Sequence, residues 1–225
     1  MLYYDLHIHS CLSPCAQEDM TPANICAMAR LKGLDVIALT DHNTGGNLAA
    51  CDEAARREGL LFLPGMELCA SEEVHLLAYF LDVGSAMKMD AAIRPLYPAE
   101  KNRPDYFGRQ LLMDSQDQAL GEEDALLIGA LAADITQLSG MVHHFGGVTV
   151  PAHIHRGYGL IQVLGFMPAS PRFHAVEVSP GQEIPQGHLP VYSSDAHQLG
   201  MISERDHALP VPRDITALLR ILGKE

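Results

Sequence analysis

The sequence lacks any stretch that is long and apolar enough to span a membrane, since no apolar run approaches about 18 residues. It also lacks an N-terminal basic region followed by an apolar core, so we expect no export signal. Positive charge is scarce: 15 Lys and Arg stand against 28 Asp and Glu, for a formal net charge of −13. This balance argues against general nucleic-acid binding, which requires a basic face. It leaves small anionic substrates open, because bound divalent cations can invert the local field.

Cysteines are few and odd in number, five in 225 residues. Without an export signal, they favour reduced thiols in a cytoplasmic protein over a disulfide framework. The length and the 48% content of hydrophobic residues are typical of a globular chain, and we predict one domain over residues 1–225. The 12 histidines form no single tract, which excludes a His-rich tail. The oligomeric state stays open.

The first ten residues, MLYYDLHIHS, carry the pattern around which we interpret the rest of the chain. A short apolar run typical of a strand ends with His7 and His9, two positions apart. Side chains alternate along a strand, so both imidazoles point to one side. Two ring nitrogens that converge from one strand end are half of a metal site, whereas an isolated pair more often only closes a strand.

Further ligand-type residues recur along the chain. The motifs are TDHN at 40–43, GMEL at 65–68, EVHLLAYF at 73–80, PAHIHR at 151–156 and SSDAH at 193–197. In almost every case an apolar strand comes first and the ligand-type residue ends or closely follows it. The repetition predicts that several strand ends build one site.

The order of the predicted elements favours an α/β barrel. The chain begins with a strand at 3–8, a helix from Pro22 to before Gly33, a strand at 35–40, a helix over 47–59, and strands at 60–63 and 74–80. Functional residues at the C-terminal ends of six or seven strands are typical of a parallel barrel with its site at the C-terminal mouth. An open doubly wound sheet is the alternative, but it would gather the site at one switch point.

The region at about 84–126 has the poorest pattern. Residues 86–108 contain three prolines and no sustained period, which predicts loop and short helix, and residues 109–121 predict an inserted hairpin. Lys101 and Arg103 lie here and are candidates for a lid over the mouth, although solvated charge is the simpler interpretation. Substrate specificity is expected to come from this region.

The collected donors indicate a multinuclear metal centre. They are six imidazoles and two carboxylates, too many for one four-coordinate ion: His7, His9, His42, Glu67, His75, His153, Asp195 and His197. We expect two or three divalent ions, and this donor set suits zinc, manganese or iron. Glu67 could bridge two ions through its two oxygens. Such a centre lowers the pKa of a bound water and clamps both oxygens of an in-line displacement, as phosphoester hydrolysis requires.

In their order, these motifs resemble those of the PHP (polymerase and histidinol phosphatase) family, over nearly the whole chain from Asp5 to His197. The resemblance implies a distorted (β/α)7 TIM-like barrel, a trinuclear centre and phosphatase or phosphodiesterase activity. It also implies a ligand set for each ion. His7, His9, Glu67 and Asp195 would hold the first, His42 and His197 the second, and Glu67, His75 and His153 the third.

The second ion needs one more ligand from the loop after His9, where many family members have His or Asp. This chain has CLSPC, with Cys15 six residues beyond His9, where one branch of the family places its histidine. Cys15 is therefore a candidate thiolate ligand, which would favour zinc or iron over magnesium. The alternative is a small loop thiol, with Asp19 or Glu18 as the ligand.

Three residues beside the ligands are candidates for catalysis. Asp41 could take a proton, although a carboxylate next to a metal cluster more often orients a ligand. Arg156 is a candidate clamp for a substrate phosphate, against a surface ion pair as the simpler interpretation. His155 is a candidate acid for the leaving oxygen. Glu177 could reach the site, but structural hydrogen bonding is the stronger expectation.

The sequence therefore predicts a metal-dependent phosphoesterase that hydrolyses a small phosphorylated metabolite or nucleotide through a metal-activated hydroxide. Two alternatives remain. One is a metal-dependent hydrolase of a non-phosphate bond such as an amide, which the ligands alone do not distinguish. The other is a non-catalytic regulatory metal module, against which the intact ligand set speaks. We predict no membrane partner, and the substrate itself is left open.

Overall fold

The computed structural model of the protein describes residues 1–223, which contain ten strands and seven α-helices. The strands are β1 (Leu2–Ile8), β2 (Val36–Leu39), β3 (Leu61–Cys69), β4 (His75–Tyr79), β5 (Leu111–Met113), β6 (Ala119–Glu122), β7 (Val148–Pro151), β8 (Ala175–Glu177), β9 (Leu189–Val191) and β10 (Ala208–Leu209). The helices are α1 (Pro22–Leu31), α2 (Leu48–Glu58), α3 (Val83–Ile93), α4 (Pro104–Phe107), α5 (Ile135–His144), α6 (Leu160–Leu164) and α7 (Ile215–Gly223).

Six of these strands form one sheet in the order β10-β1-β2-β3-β4-β7. β1, β2 and β3 are parallel, and α1 and α2 connect them, as the sequence predicts. Because β1 to β4 follow one another without a reversal of order, this is not the doubly wound arrangement. β8 and β9 form a separate parallel pair.

The sheet is curled, because side chains from eight strands meet in one buried cluster. Leu6, Ala38, Leu63, Leu77 and Val191 belong to this cluster, and Leu218 and Leu222 of α7 pack against it. A second buried cluster on the other face of the strands includes apolar side chains of α1, α2, α3 and α5. The protein is thus a mixed α/β fold with a half-barrel sheet between two hydrophobic layers.

Among the strands that the sequence predicts, one departs from the expected parallel arrangement. β4 is antiparallel to both β3 and β7, and β3 extends to Cys69, six residues beyond the predicted end at Leu63. The expectation that Glu67 follows the end of its strand is therefore wrong, whereas His75 was already expected within a strand at 74–80. Glu67 lies within β3, and His75 is the first residue of β4. An antiparallel strand brings its N-terminal end to the edge where its parallel neighbours have their C-terminal ends.

The middle of the chain is more regular than predicted. α3 is an 11-residue helix where loop and short helix were expected, and the Asp82 side chain caps it by accepting a hydrogen bond from the Ser85 N–H at 2.8 Å. The predicted hairpin is present as β5 and β6. Lys101 forms an exposed ion pair with Asp124, and the Arg103 guanidinium lies over the Tyr106 ring, 4.9 Å from its centroid. Within residues 1–223, no helix is long and apolar enough to cross a lipid bilayer.

Candidate metal centre

His7 and His9 converge as strand alternation predicts. Both are fully buried, and their Nε2 atoms lie 3.1 Å apart. Asp195 Oδ1 lies 3.3 Å from each of these nitrogens. A residue near the start of the chain and one near its end thus face the same point, because a bridge between Ile8 and Ala196 pairs their segments in parallel.

Glu67 lies at the middle of the cluster and presents its two oxygens to different imidazoles. Oε1 lies 2.8 Å from His75 Nδ1 and 3.1 Å from His153 Nε2. Oε2 lies 3.0 Å from His42 Nδ1 and 3.4 Å from His9 Nε2. This geometry is suited to the bridging role that the sequence analysis gives to Glu67.

The remaining candidate ligands lie on the far side of His9. The His197 ring is 4.4 Å from the His9 ring, centroid to centroid, and donor atoms of His9, His42 and His197 lie within 4.8 Å of one another. Cys15 is exposed to solvent, and its thiol lies within hydrogen-bond distance of His197 and His42 of this group. Burial raises the pKa of the Cys15 thiol, yet hydrogen bonds with His197 and His42 outweigh burial and lower it to about 7.

The hydrogen bonds behind the ligands fix which nitrogens face the centre. The His7 Nδ1–H donates to the Glu177 carboxylate at 2.7 Å. The Ser13 hydroxyl donates to Asp41 Oδ1 at 2.7 Å, so its oxygen accepts from His9 Nδ1 at 3.0 Å. The second nitrogen of each ring, Nε2, is therefore the atom that the ring presents to the centre.

Charge in the cluster reinforces this arrangement. Burial, with the neighbouring His42, lowers the pKa of His9 to about 3, so its imidazole is neutral at pH 7. Burial alone would raise the pKa of Glu67, but the imidazoles of His75 and His7 outweigh it and hold this pKa well below its usual range. Burial lowers the pKa of His7, while Glu177 and Asp195 outweigh it and raise this pKa well above the usual value. The buried carboxylate of Glu67 and the partly buried carboxylate of Asp195 favour positive charge between the rings.

The donor set fits divalent cations. Two Nε2 atoms 3.1 Å apart need either a shared proton or a cation between them, and a divalent cation can take the place of the proton that His7 otherwise carries. His42 Nδ1 is a buried nitrogen without a hydrogen-bond partner among residues 1–223, although it lies 3.0 Å from Glu67 Oε2. Ligands that hold one tetrahedral ion at about 2.0–2.1 Å lie about 3.3 Å from one another, which matches the 3.0–3.4 Å separations in this cluster.

Two of the candidate ligands have a strained backbone. His153 and Asp195 adopt positive φ angles of 28° and 53°, which residues other than glycine rarely take. The turns after β7 and before Ala196 keep this conformation, and it directs both side chains into the cluster. Backbone strain of this kind concentrates at functional sites.

The three candidate catalytic residues occupy different positions. Asp41 is buried and accepts from the Ser10 N–H at 2.7 Å, the Ser10 hydroxyl at 2.6 Å and the Ser13 hydroxyl at 2.7 Å. Arg156 is exposed and forms an ion pair with Asp195 at 3.0 Å. His155 Nε2 lies 2.7 Å from the backbone oxygen of Glu183, which accepts a hydrogen bond from this nitrogen. Asp41 thus holds the loop that carries Ser13, and Arg156 lies beside a candidate ligand.

Several supporting residues were missed or left aside by sequence reasoning. Ser10 and Ser13 connect Asp41 to the ligands, and only their position directly after His-x-His could have indicated it. Asp5 ties β1 to the segment of Asp195, since it accepts from the Ser194 hydroxyl at 2.6 Å and the Ser203 N–H at 2.8 Å. Glu177 forms the expected hydrogen bond, and its partner is a candidate ligand.

Asp90 on α3 supports the other side of the centre. It is buried and accepts from the Thr44 hydroxyl and the Gly45 N–H, both at 2.9 Å. Asn43 bonds the Cys69 N–H at 2.8 Å and the Leu127 carbonyl at 2.7 Å. These bonds fix the loop after His42 against β3, the strand that carries Glu67.

Comparison with known proteins gives a sequence match over part of the chain. No protein-family model matches the chain. A stretch of 85 residues, 36% of the chain, is 36% identical to a 3′,5′-nucleoside bisphosphate phosphatase of Chromobacterium violaceum. The match spans 29% of that relative's length, so the activity of the whole relative is not transferred by it.

Solved structures share the fold. A lesion-specific endonuclease from Pyrococcus furiosus aligns with a TM-score of 0.67 at 16% identity, over 98% of this chain and 55% of its own. A protein of Bifidobacterium adolescentis, provisionally described as a metal-dependent phosphoesterase, aligns with a TM-score of 0.63 at 19% identity, over 99% of this chain and 96% of its own. The fold, the sequence likeness to a phosphatase and the His/Glu cluster together bear out the resemblance to the PHP family.

Proposed function

We propose that the protein is a metal-dependent phosphoesterase of PHP type that hydrolyses a small phosphorylated metabolite or nucleotide. The observation that carries the proposal is the convergence of the His7 and His9 Nε2 atoms, which lie 3.1 Å apart and each 3.3 Å from Asp195 Oδ1. The likeness to a nucleoside bisphosphate phosphatase supports the phosphoester as the reacting bond.

The candidate ligands form three overlapping groups, in which every donor atom lies within 4.8 Å of the others. The groups are His7, His9 and Asp195, then His9, His42 and His197, then His42, Glu67 and His75. This overlap supports a centre of two or three ions, with zinc, manganese or iron as the metals that imidazole and carboxylate favour. Bound divalent cations would neutralise the phosphate charge and make a water molecule more acidic.

The chain's own groups would bind and orient the substrate. Arg156 lies beside Asp195 at 3.0 Å with its guanidinium exposed, a position from which it can hold a phosphate through two parallel hydrogen bonds. Asp41 has both oxygens occupied by Ser10 and Ser13, which supports the orienting role over proton transfer. His155 as an acid for the leaving oxygen stays a prediction, and so does Cys15 as a ligand.

A small substrate is favoured over a nucleic acid. One neighbour in fold is an endonuclease, but at 16% identity this likeness concerns the fold alone. The formal charge of −13 opposes a long polyanion, whereas a small phosphate ester needs only the local field of the centre. The five cysteines are free thiols, which supports the predicted cytoplasmic location.

We also retain the closed (β/α)7 barrel as a proposal. Two contacts support it, one on each side of the β8–β9 pair. The Ile154 N–H donates to the Glu177 carbonyl at 3.1 Å, and Ile8 pairs in parallel with Ala196. These contacts link β8 to the end of β7 and the segment after β9 to β1.

A substrate panel tests the function. Metal-replete protein is expected to release phosphate from aryl phosphates, nucleoside monophosphates or 3′,5′-bisphosphates, and His9→Ala and Asp195→Ala are expected to abolish release. His207→Ala, which removes an imidazole outside the cluster, serves as the control. A replete sample that cleaves amide substrates and no phosphate mono- or diester would replace the proposal with the alternative hydrolase.

A further inference from the structure

A cavity of about 700 Å³ lies at the other end of β7 from the candidate metal centre. Val148 and Thr149, which begin β7, line the cavity, whereas His153 follows the strand's last residue. α5 and α7 supply most of the other walls. The volume is in the range of sites that bind small organic molecules.

The polar lining of the cavity is cationic and hydroxylic. It includes Arg172, Arg220, His143, Thr136, Thr216 and Ser139. Of the residues that the structure describes, no Asp or Glu lines it, although acidic residues outnumber basic ones in the chain as a whole. Neither Arg172 nor Arg220 forms an ion pair with any residue from 1 to 223. A wall of this composition attracts anions.

Ser139 gives an independent sign of a missing partner. Ser139 lines the cavity and is 8% exposed, and its hydroxyl oxygen, which is itself closed to solvent, has no hydrogen-bond partner among the described residues. A buried hydroxyl without a partner is unfavourable, because it has lost its water and gained nothing in exchange. A serine within a helix commonly bonds the carbonyl four residues earlier, and Ser139 does not. A ligand oxygen in the cavity would satisfy it after the hydroxyl rotates toward the cavity.

We infer that this cavity is a second ligand site, which binds a small organic oxyanion such as a phosphate or a carboxylate. Arg172 and Arg220 would hold the anionic group, Ser139 would donate to one of its oxygens, and Val148 and Leu219 would contact its apolar part. Guanidinium groups bind both kinds of oxyanion through paired hydrogen bonds. The inference does not rest on the reaction proposed for the metal centre.

Amide NMR of the zinc-loaded protein can resolve this site from the centre. Gly140, Gly146 and Gly147 line the cavity, and glycine amides occupy a distinctive region of the spectrum. We expect their resonances to shift saturably when inorganic phosphate is added, and a parallel titration with acetate, a weak ligand for zinc, separates phosphate from carboxylate recognition. The double variant Arg172→Ala/Arg220→Ala should weaken this binding by about tenfold or more. Arg30→Ala, an exposed arginine of α1, changes charge equally elsewhere and should leave it intact.

Two further variants keep the test decisive if the double variant fails to fold. Ser139→Ala removes only the unpartnered hydroxyl and should weaken binding severalfold without loss of stability. A Cβ at Gly140 would meet no atom within 4 Å, so Gly140→Leu should obstruct the cavity while it favours the helix. The inference is overturned if neither anion shifts the three glycine amides, if shifts appear only near the metal centre, or if these variants bind as the wild type does.

Discussion

Glu177→Gln should weaken metal binding although Glu177 is not itself a proposed ligand. Its carboxylate accepts the His7 Nδ1 proton at 2.7 Å, and both side chains are buried. Glutamine retains an accepting oxygen of the same shape but removes the charge. A charged partner strengthens a hydrogen bond by about 1–1.5 kcal/mol over a neutral one, or about 5- to 15-fold in affinity.

Loss of a carboxylate that orients a ligating histidine commonly costs about 10- to 100-fold in metal affinity. We therefore expect the zinc affinity of Glu177→Gln, measured by competition with a chromophoric chelator, to fall by about tenfold or more, with phosphate release reduced in parallel at limiting zinc. Glu100→Gln, an exposed residue, is the matched control. If Glu177→Gln binds zinc as tightly as Glu100→Gln, His7 is not a ligand oriented by Glu177.

Three more predictions address the thiol, the supporting loop and the ions. Cys15, with a pKa of about 7, should be about half ionised at pH 7, so iodoacetamide should label it well before the four buried cysteines. The rate of labelling should rise as the pH is raised through 7. If Cys15 is a ligand, added zinc should slow the labelling. Asp90→Ala leaves the Gly45 N–H without its acceptor, which costs about 2 kcal/mol of stability. A thermal scan should therefore show a Tm lower by about 4–8 °C. The control Asp105→Ala, at an exposed position, should leave the Tm unchanged. Zinc at about 100 times its Kd should stabilise the chelator-treated protein by about 2.7 kcal/mol. This corresponds to a rise in Tm of about 5–10 °C. An unchanged Tm would argue against a bound ion.

The sequence predicts the convergence of candidate ligands from one strand because alternation along a strand is a local pattern. His7 and His9 illustrate this, since two residues on one strand determine their common direction. Glu67 shows the limit. Its motif indicates a ligand, but its place within β3 depends on the antiparallel pairing with β4, which no short pattern reveals.

Two supporting features depend on contacts between distant parts of the chain. The bond between His7 and Glu177 joins residues 170 positions apart, so the sequence could indicate a carboxylate near a strand end but not its partner. α3 was missed because its buried face includes Asp90 among Ala86, Met89 and Ile93. A charged residue on the buried face obscures the helical period, and here it is present because Thr44 and Gly45 need its oxygens.

Elemental analysis of the protein after equilibration with zinc or manganese and removal of free metal tests the central claim most directly. Eight converging side chains predict two or three ions per chain, and Glu67→Gln should reduce that number because it removes the carboxylate shared by five imidazoles. A wild-type chain that retains less than one ion under these conditions would contradict the account.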